Sequence, residues 1–443
     1  MKRHLIGIGG VGMSALATLL VRQGDVVTGA DRTLGTPNIR FLESLGVRVF
    51  PDDGSGVDAS TDEVIVSTAI EDTNAGLVRA KELSIPVIHR AKALSAALSS
   101  RKLVAVVGTC GKSTVTAMLG HVLAECGLDP LCVNGANVPG WEGAVRFGAG
   151  EYAVAEVDES DKSLVAFKPY AAIVTNASAD HYSKEEMDEV FDAFVRDCEG
   201  PVVDGRKEVD DSSHATGMSR PLFSHATGMS RPLYPSPRKG DATFLSRVEE
   251  EVPTSIPGRH NRQNAALALR MALSLGCDES QARAALLSFR GVERRLQRMG
   301  ERVFDDYAHN PEKLRAMWTT LAEAYPTGLC VVWRPHGYAP LRKMMDALAA
   351  MFAETIRPQD RLLLLPVYDA GGTTDRSVNS DELLKRIRAI GQSEQSADRT
   401  VLVADLDAAY DWCLAHREDY AAFVTCGARD PGLPELARRL AEM

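Results

Sequence analysis

No stretch of this sequence approaches the roughly 20 consecutive apolar residues of a membrane span, and no pair of its cysteines is spaced C-x-x-C. Cys110, Cys126, Cys132, Cys198, Cys277, Cys330, Cys413 and Cys426 are scattered through apolar or loop contexts, so free thiols in a reducing cytoplasm are expected. Basic charge is not in excess either. Fifty Lys and Arg against sixty Asp and Glu give a formal charge of −10, which offers nothing to nucleic acid or to an anionic membrane. Met1 to Gly7 runs straight into an expected strand and a glycine turn, unlike a signal peptide. With 45% hydrophobic and 25% charged residues over 443 positions, a globular chain of about three domains is expected.

What is present is organised around Leu103 to Leu119. Five apolar residues, Leu103-Val104-Ala105-Val106-Val107, lead into Gly108-Thr109-Cys110-Gly111-Lys112-Ser113-Thr114 and then a helical pattern. A buried strand, a glycine turn and a helix start place backbone N–H groups around phosphate oxygens. Lys112 then reaches the β- and γ-phosphates and the Ser113 hydroxyl ligates Mg²⁺. The spacing is not that of G-x-x-x-x-G-K-[ST], because Val106 stands where its first glycine belongs.

A second glycine turn opens the chain. His4 to Ile8 reads as a strand, and Gly7-Ile8-Gly9-Gly10-Val11-Gly12-Met13-Ser14 as a turn into a helix that ends near Gly24. Asp31 follows Gly12 by 19 residues at the end of a second strand, Val26 to Gly29, which completes a dinucleotide-binding pattern. A pyrophosphate is common to NAD and to a UDP-sugar, so this loop alone fits either. Further strands at 47–50, 63–68 and 85–88 give an α/β unit closing near Ser100.

Read as G-T-x-G-K-[ST], the central loop resembles that of the Mur ligase and folylpolyglutamate synthetase superfamily, which joins carboxylates to amines using ATP. Gly9-Gly10 with Gly12-Met13-Ser14, Ser67-Thr68-Ala69-Ile70 and Pro86-Val87-Ile88-His89-Arg90-Ala91 resemble the first domain of its alanine-adding members. So do Ala155-Glu156-Val157-Asp158-Glu159-Ser160-Asp161 and Ile173-Val174-Thr175-Asn176, followed by Asp180-His181. Glu156 and His181 each end or follow an apolar strand, 152–156 and 171–176, and are candidates for one cation. The carbamylated lysine of other members has no counterpart in Met187 to Cys198, and Lys184 lies too early.

The resemblance implies three α/β domains: a Rossmann-like UDP-sugar domain at 1–100, a phosphate-loop ATP domain at 101–291 and a Rossmann-like amino-acid domain at 292–443. Gly9, Gly10, Gly12, Met13, Ser14, Asp31 and Ser67 would hold the UDP-sugar. Gly108, Thr109, Gly111, Lys112, Ser113 and Thr114 would hold ATP, with His260, Asn261 and Asn264 of G-R-H-N-R-Q-N at its adenine end, although Asn261 also suits a helix cap. Arg294 or Arg295 would clamp phosphate. Ser113, Glu156 and His181 would bind two Mg²⁺, with Mn²⁺ a substitute. Tyr307 and His309 of D-D-Y-A-H-N-P, and His336, would serve the amino acid, with Lys112, Glu156, His181 and His309 catalytic.

The implied reaction joins the lactyl carboxylate of UDP-N-acetylmuramate to L-alanine through an acyl phosphate, in a cytoplasmic monomer or weak dimer. A ligase for a preformed murein tripeptide, a folylpolyglutamate synthetase, a non-catalytic nucleotide-binding regulator and a dehydrogenase are the other readings. Cys110, Asn310 and Gly337 stand where the alanine-adding members often have histidine, histidine and arginine. An eleven-residue tandem repeat, Ser213 to Phe223 and Ser224 to Tyr234, reads as a surface duplication; its His214 and His225 are weak metal candidates.

Overall fold

The computed structural model describes residues 1–158, 163–177, 184–206, 244–245, 252–369, 375–390 and 399–443. His181 and the tandem repeat lie outside the described residues. The chain divides into two compact units, one of Met1–Ser255 with His260–Arg290 and one of Ile256–Arg259 with Gly291–Met443. Among the described residues are three sheets, all with mainly parallel pairing, and no helix long and apolar enough to cross a membrane. All eight cysteines are free.

The first sheet contains β1 (Lys2–Ile6), β2 (Val26–Asp31), β3 (Arg48–Pro51), β4 (Glu63–Val66) and β5 (Val87–His89) in the order β3-β2-β1-β4-β5, every pair parallel. Helices α1 (Val11–Arg22), α2 (Pro37–Ser44), α3 (Ala75–Glu82) and α4 (Arg90–Leu98) alternate with these strands. Sequence order reverses on either side of β1, so the loop after β1 opens at a topological switch point.

The second sheet belongs to the same unit. Its strands are β6 (Lys102–Val107), β7 (Leu131–Val133), β8 (Val145–Arg146), β9 (Tyr152–Glu156), β10 (Ala171–Val174), β11 (Val202–Asp204) and β12 (Phe244–Leu245), ordered β12-β11-β10-β6-β9-β7-β8. Among these described strands only β8 runs antiparallel. Leu103 to Val107 are buried on both faces, which is why this central strand reads as one apolar run instead of alternating. Helices α5 (Lys112–Glu125), α6 (Lys184–Arg196), α7 (Arg259–Ser274) and α8 (Glu279–Ser288) belong to this part of the chain. Its core is continuous with that of the first sheet, from Leu5 and Leu16 through Leu94 and Leu98 to Ala105 and Ala155. Arg22 of α1 pairs with Glu142 at 2.7 Å.

The second unit holds β13 (Gln297–Arg298), β14 (Val303–Asp306), β15 (Leu329–Trp333), β16 (Arg361–Leu364), β17 (Thr400–Leu402) and β18 (Ala422–Cys426), ordered β13-β14-β18-β15-β16-β17. Its helices are α9 (Pro311–Ala324), α10 (Tyr338–Thr355), α11 (Ser380–Ile390), α12 (Leu406–Ala415) and α13 (Gly432–Ala441). Trp318, Trp333 and Phe352 fill one side of this sheet and Cys413, Phe423 and Leu436 the other.

Candidate functional site

Helix starts separate structural ends from ends left open. Side chains of Thr36, Asn74, His89, Asp278, Asn310 and Asp405 cap α2, α3, α4, α8, α9 and α12. In contrast α1, α5 and α10 each follow a strand, open on glycine (Gly10, Gly111, Gly337) and have no side-chain cap. An uncapped first turn leaves backbone N–H groups for an anion.

The loop after β6 is tightly held. Gly108 and Gly111 have φ of 128° and 84°, and a Cβ on Gly108 would stand 2.2 Å from Thr175 Oγ1. Asn176, beyond β10, accepts from the Thr109 hydroxyl (2.6 Å) and the Cys110 N–H (2.9 Å), and donates to the Cys110 carbonyl (2.9 Å). The Thr175 hydroxyl donates to the same carbonyl at 2.6 Å. Three of these four bonds use the Cys110 backbone, so the brace does not depend on which side chain stands there. Lys112 folds back on its own loop, Nζ to the Gly108 carbonyl at 2.7 Å. Ser113 and Thr114 are buried in the first turn of α5.

Glu156 ends β9 in register with Val106, beside this loop. Its Oε2 accepts the Gly135 N–H at 2.7 Å, and a Cβ on Gly135 would meet that carboxylate at 2.4 Å. Strands β9 and β10, successive candidates for one cation in the sequence, are not neighbours: β6 lies between them. Glu156 therefore approaches the loop from one flank and the Thr175-Asn176 brace from the other. Among the described residues no three His, Cys, Asp or Glu side chains cluster as a metal site. From α7, buried Asn264 brings Oδ1 to 2.8 Å from where a Gly111 Cβ would stand, with Asn261 buried one turn earlier and His260 exposed.

The loop after β1 is braced by a carboxylate. Asp31 Oδ2 accepts the Gly9 N–H at 2.8 Å, its Oδ1 accepts the Thr33 N–H at 3.0 Å, and Asn38 donates to the Gly9 carbonyl at 2.9 Å. Met13 packs into the core and the Ser14 hydroxyl donates to the Val11 carbonyl, so neither side chain is turned to the loop's open side. Ser67 and Ile70 form a turn beyond β4, and Ile70 lies 3.3 Å from a Cβ on Gly7. The guanidinium of Arg90 passes over Gly12, with Nη1 at 2.9 Å from where a Cβ would be. Arg90 is a candidate site residue that the motifs do not single out; its signal is a basic residue at the start of a helix after a strand end.

In the second unit the D-D of D-D-Y-A-H-N-P is structural. Asp305 accepts from Arg294 Nε (3.0 Å) and from the Thr425 hydroxyl (2.7 Å), and Asp306 accepts the Leu296 and Ala308 N–H groups at 2.7 Å each. Burial pushes the Asp305 carboxyl up to about 6 against the pull of Arg294 and Thr425. Arg294 Nη2 also donates to the Gly427 carbonyl at 2.5 Å, so its guanidinium is committed within the unit. Arg295 lies over the Tyr307 ring at 5.5 Å. The rings of Tyr307, His309 and His336 form a chain, with centroids 5.5 Å and 4.8 Å apart. Burial first, then His309, Arg429 and Lys313, push His336 down to about 4. It is neutral at pH 7. Asn310 caps α9 by accepting the Lys313 N–H at 2.9 Å.

Two family models match the chain: "Mur ligase family, catalytic domain" over residues 2–102 and "Mur ligase, glutamate ligase domain" over residues 294–429. The UDP-N-acetylmuramate--L-alanine ligase of Paenarthrobacter aurescens is 34% identical over 439 residues, covering 91% of this chain and 94% of that protein. Among solved structures, the UDP-N-acetylmuramate-alanine ligase of Thermotoga maritima matches with a TM-score of 0.76 at 25% identity, covering 100% of this chain and 98% of that one. A murein peptide ligase of Psychrobacter arcticus shares the fold, with a TM-score of 0.64 at 22% identity over 100% and 99% of the two chains.

Proposed function

The chain belongs to the Mur ligase family, and from that premise we infer that it is an ATP-dependent ligase joining L-alanine to UDP-N-acetylmuramate. The observation that carries this reading is the pairing, in one unit, of two glycine loops that each open an uncapped helix. One lies under the Arg90 guanidinium and the other carries Lys112. A sugar diphosphate and a nucleotide triphosphate are the ligands those loops suit.

The reaction needs a carboxylate oxygen made into a leaving group. The lactyl carboxylate attacks the γ-phosphorus of ATP, an O–P bond forms as the β–γ bridge breaks, and ADP leaves. The amine then attacks the acyl carbon, phosphate departs, and the amide loses its proton. Lys112, released from the Gly108 carbonyl, and the N–H groups of the α5 first turn stabilise charge on the transferring phosphoryl group. Ser113 and Glu156 suit Mg²⁺: one is a hydroxyl at the loop, and the other a carboxylate held by one oxygen through Gly135. His181, and a second ion, enter by resemblance alone. Mg²⁺ when bound offsets repulsion between two anions.

In this reading Gly9, Gly10, Asp31 and Ser67 shape the UDP-sugar site and Arg90 pairs with its diphosphate. Asn264 and Asn261 border the ATP site. Arg295, and not the committed Arg294, clamps phosphate, and Tyr307, His309 and His336 serve the amino acid. The divisions 1–100, 101–291 and 292–443 each contain one of the three sheets, which supports reading them as the three functional domains. Cytoplasmic residence goes with these substrates.

The test is ADP release from Mg²⁺-ATP and UDP-N-acetylmuramate with no amine, L-alanine, glycine, L-serine or L-alanyl-D-glutamyl-diaminopimelate. Turnover led by L-alanine is expected. Turnover with the tripeptide alone would make the protein a peptide ligase instead.

A further inference from the structure

The loop Cys426–Asp430 leaves the C-terminal end of β18, between β14 and β15. It is fastened along its length. The Gly427 N–H donates to the Asp306 carbonyl at 3.1 Å and its own carbonyl accepts from Arg294. Cys426 Sγ contacts the Ala308 carbonyl at 3.2 Å. Buried Asp430 accepts from Arg334 Nη1 at 2.7 Å and from the Gly432 N–H at 2.8 Å. One charged side chain of the loop is left out of this fastening. Arg429 is exposed, makes no hydrogen bond or ion pair among the described residues, and holds a left-handed backbone, φ 39°, that suits glycine better than arginine.

Its guanidinium is directed at the open start of α10. Nη1 stands 3.9 Å from where a Cβ on Gly337 would be, at van der Waals distance from the helix start. His336, its ring 4.8 Å from that of His309 between centroids, lies in the segment that leads from β15 into Gly337 and α10. A guanidinium beside a helix start that has no side-chain cap calls for an anion. Resting on the ligase reading, where Tyr307, His309 and His336 serve the amino acid, the anion that belongs beside His336 is the carboxylate of the amine substrate. A planar guanidinium fork suits a carboxylate better than a point charge does.

We propose that Arg429, held out by its fastened loop over the start of α10, recognises the carboxylate of the incoming amino acid and sets the preference for acceptors that carry one. The experiment compares L-alanine with L-alaninamide, the same amine without the carboxylate, as acceptors for ADP release. The unaltered protein, Arg429→Gly and Arg429→Lys are assayed, with thermal unfolding as the folding control. Glycine suits the left-handed backbone, so that variant is expected to fold at least as well.

The expected result is a rise of about 30-fold in KM for L-alanine in Arg429→Gly, the size of a lost charged hydrogen bond. The KM values for ATP, UDP-N-acetylmuramate and L-alaninamide should stay within about 3-fold, and Arg429→Lys should fall between. The preference for L-alanine over its amide then collapses. An unchanged preference in Arg429→Gly overturns the proposal while leaving the ligase reading intact. So does a loss shared equally by both acceptors or centred on ATP, which would mark a phosphate contact. An unaltered protein that turns over with no amino acid overturns both readings together.

Discussion

The two glycine loops of the first unit share a plan and differ in their bracing. Each leaves a strand at a switch point and enters a helix through an uncapped glycine. After β1 the brace is mainly a carboxylate, Asp31, which accepts one N–H of the loop, with the Asn38 amide donating to the Gly9 carbonyl, and a flexible guanidinium, Arg90, covers the helix start. After β6 the brace is an amide, Asn176, which both accepts and donates, with Thr175 beside it and the Glu156 carboxylate held off on Gly135. On the proposed reading, Arg90 supplies the cation for the first loop's ligand. An amide against the second loop would add no negative charge beneath a triphosphate and would leave Glu156 apart for a cation. The first loop would then hold a passive ligand and the second one that reacts.

The contrast is tested hardest at Gly108. An alanine Cβ there meets Thr175 Oγ1 at 2.2 Å and Asn176 backbone atoms at 2.9 and 3.0 Å, at a φ of 128°. Backbone cannot step aside, so Gly108→Ala is expected to cost about 3 kcal/mol of stability and to lower ADP release by about a thousandfold. Thermal unfolding with initial-rate assays checks it. Turnover within about 3-fold of the unaltered protein would mean that the loop tolerates the displacement.

Much of this was legible in the sequence because local signals carry it. The run Leu103 to Val107 before Gly108 announces a buried strand and a glycine turn into a helix, which stand in the structure as β6 and the start of α5. The braces were not legible, because they join residues distant in sequence: Asn176 to Cys110 across 66 positions, Arg90 to Gly12 across a whole domain. Sheet order is non-local in the same way, and nothing in 152–156 or 171–176 says that β6 will come between them. Motif letters also do not say which side chains are spent on the fold. Asp305, Asp306 and Arg294 lie within matched motifs, yet they hold backbone and one another.

A smaller effect separates the two braces by substrate. Asn176→Ala removes three side-chain bonds from the ATP loop and should raise KM for ATP about 30-fold, while KM for UDP-N-acetylmuramate stays within about 3-fold. Asp31→Ala should do the reverse by about 10-fold, having removed the hold on Gly9. Both variants raising the same KM would show that the loops do not serve separate ligands.

The smallest effect is expected at Gly12, and it sharpens the comparison from the other side. A Cβ there would meet Arg90 at Nη1 (2.9 Å) and Cζ (3.4 Å), the far end of a long side chain that can swing away. The position lies in α1, where alanine is the better helix former by about 0.5–1 kcal/mol. Gly12→Ala should therefore fold as well as the unaltered protein, and raise KM for UDP-N-acetylmuramate about 5-fold by displacing the guanidinium. Arg90→Ala should raise it by a similar factor, and the double variant by little more, since both changes remove one contact. If Gly12→Ala instead unfolds the protein as Gly108→Ala is expected to, the first loop is as rigidly built as the second. The difference between a side chain and a backbone over each glycine would then not explain their roles.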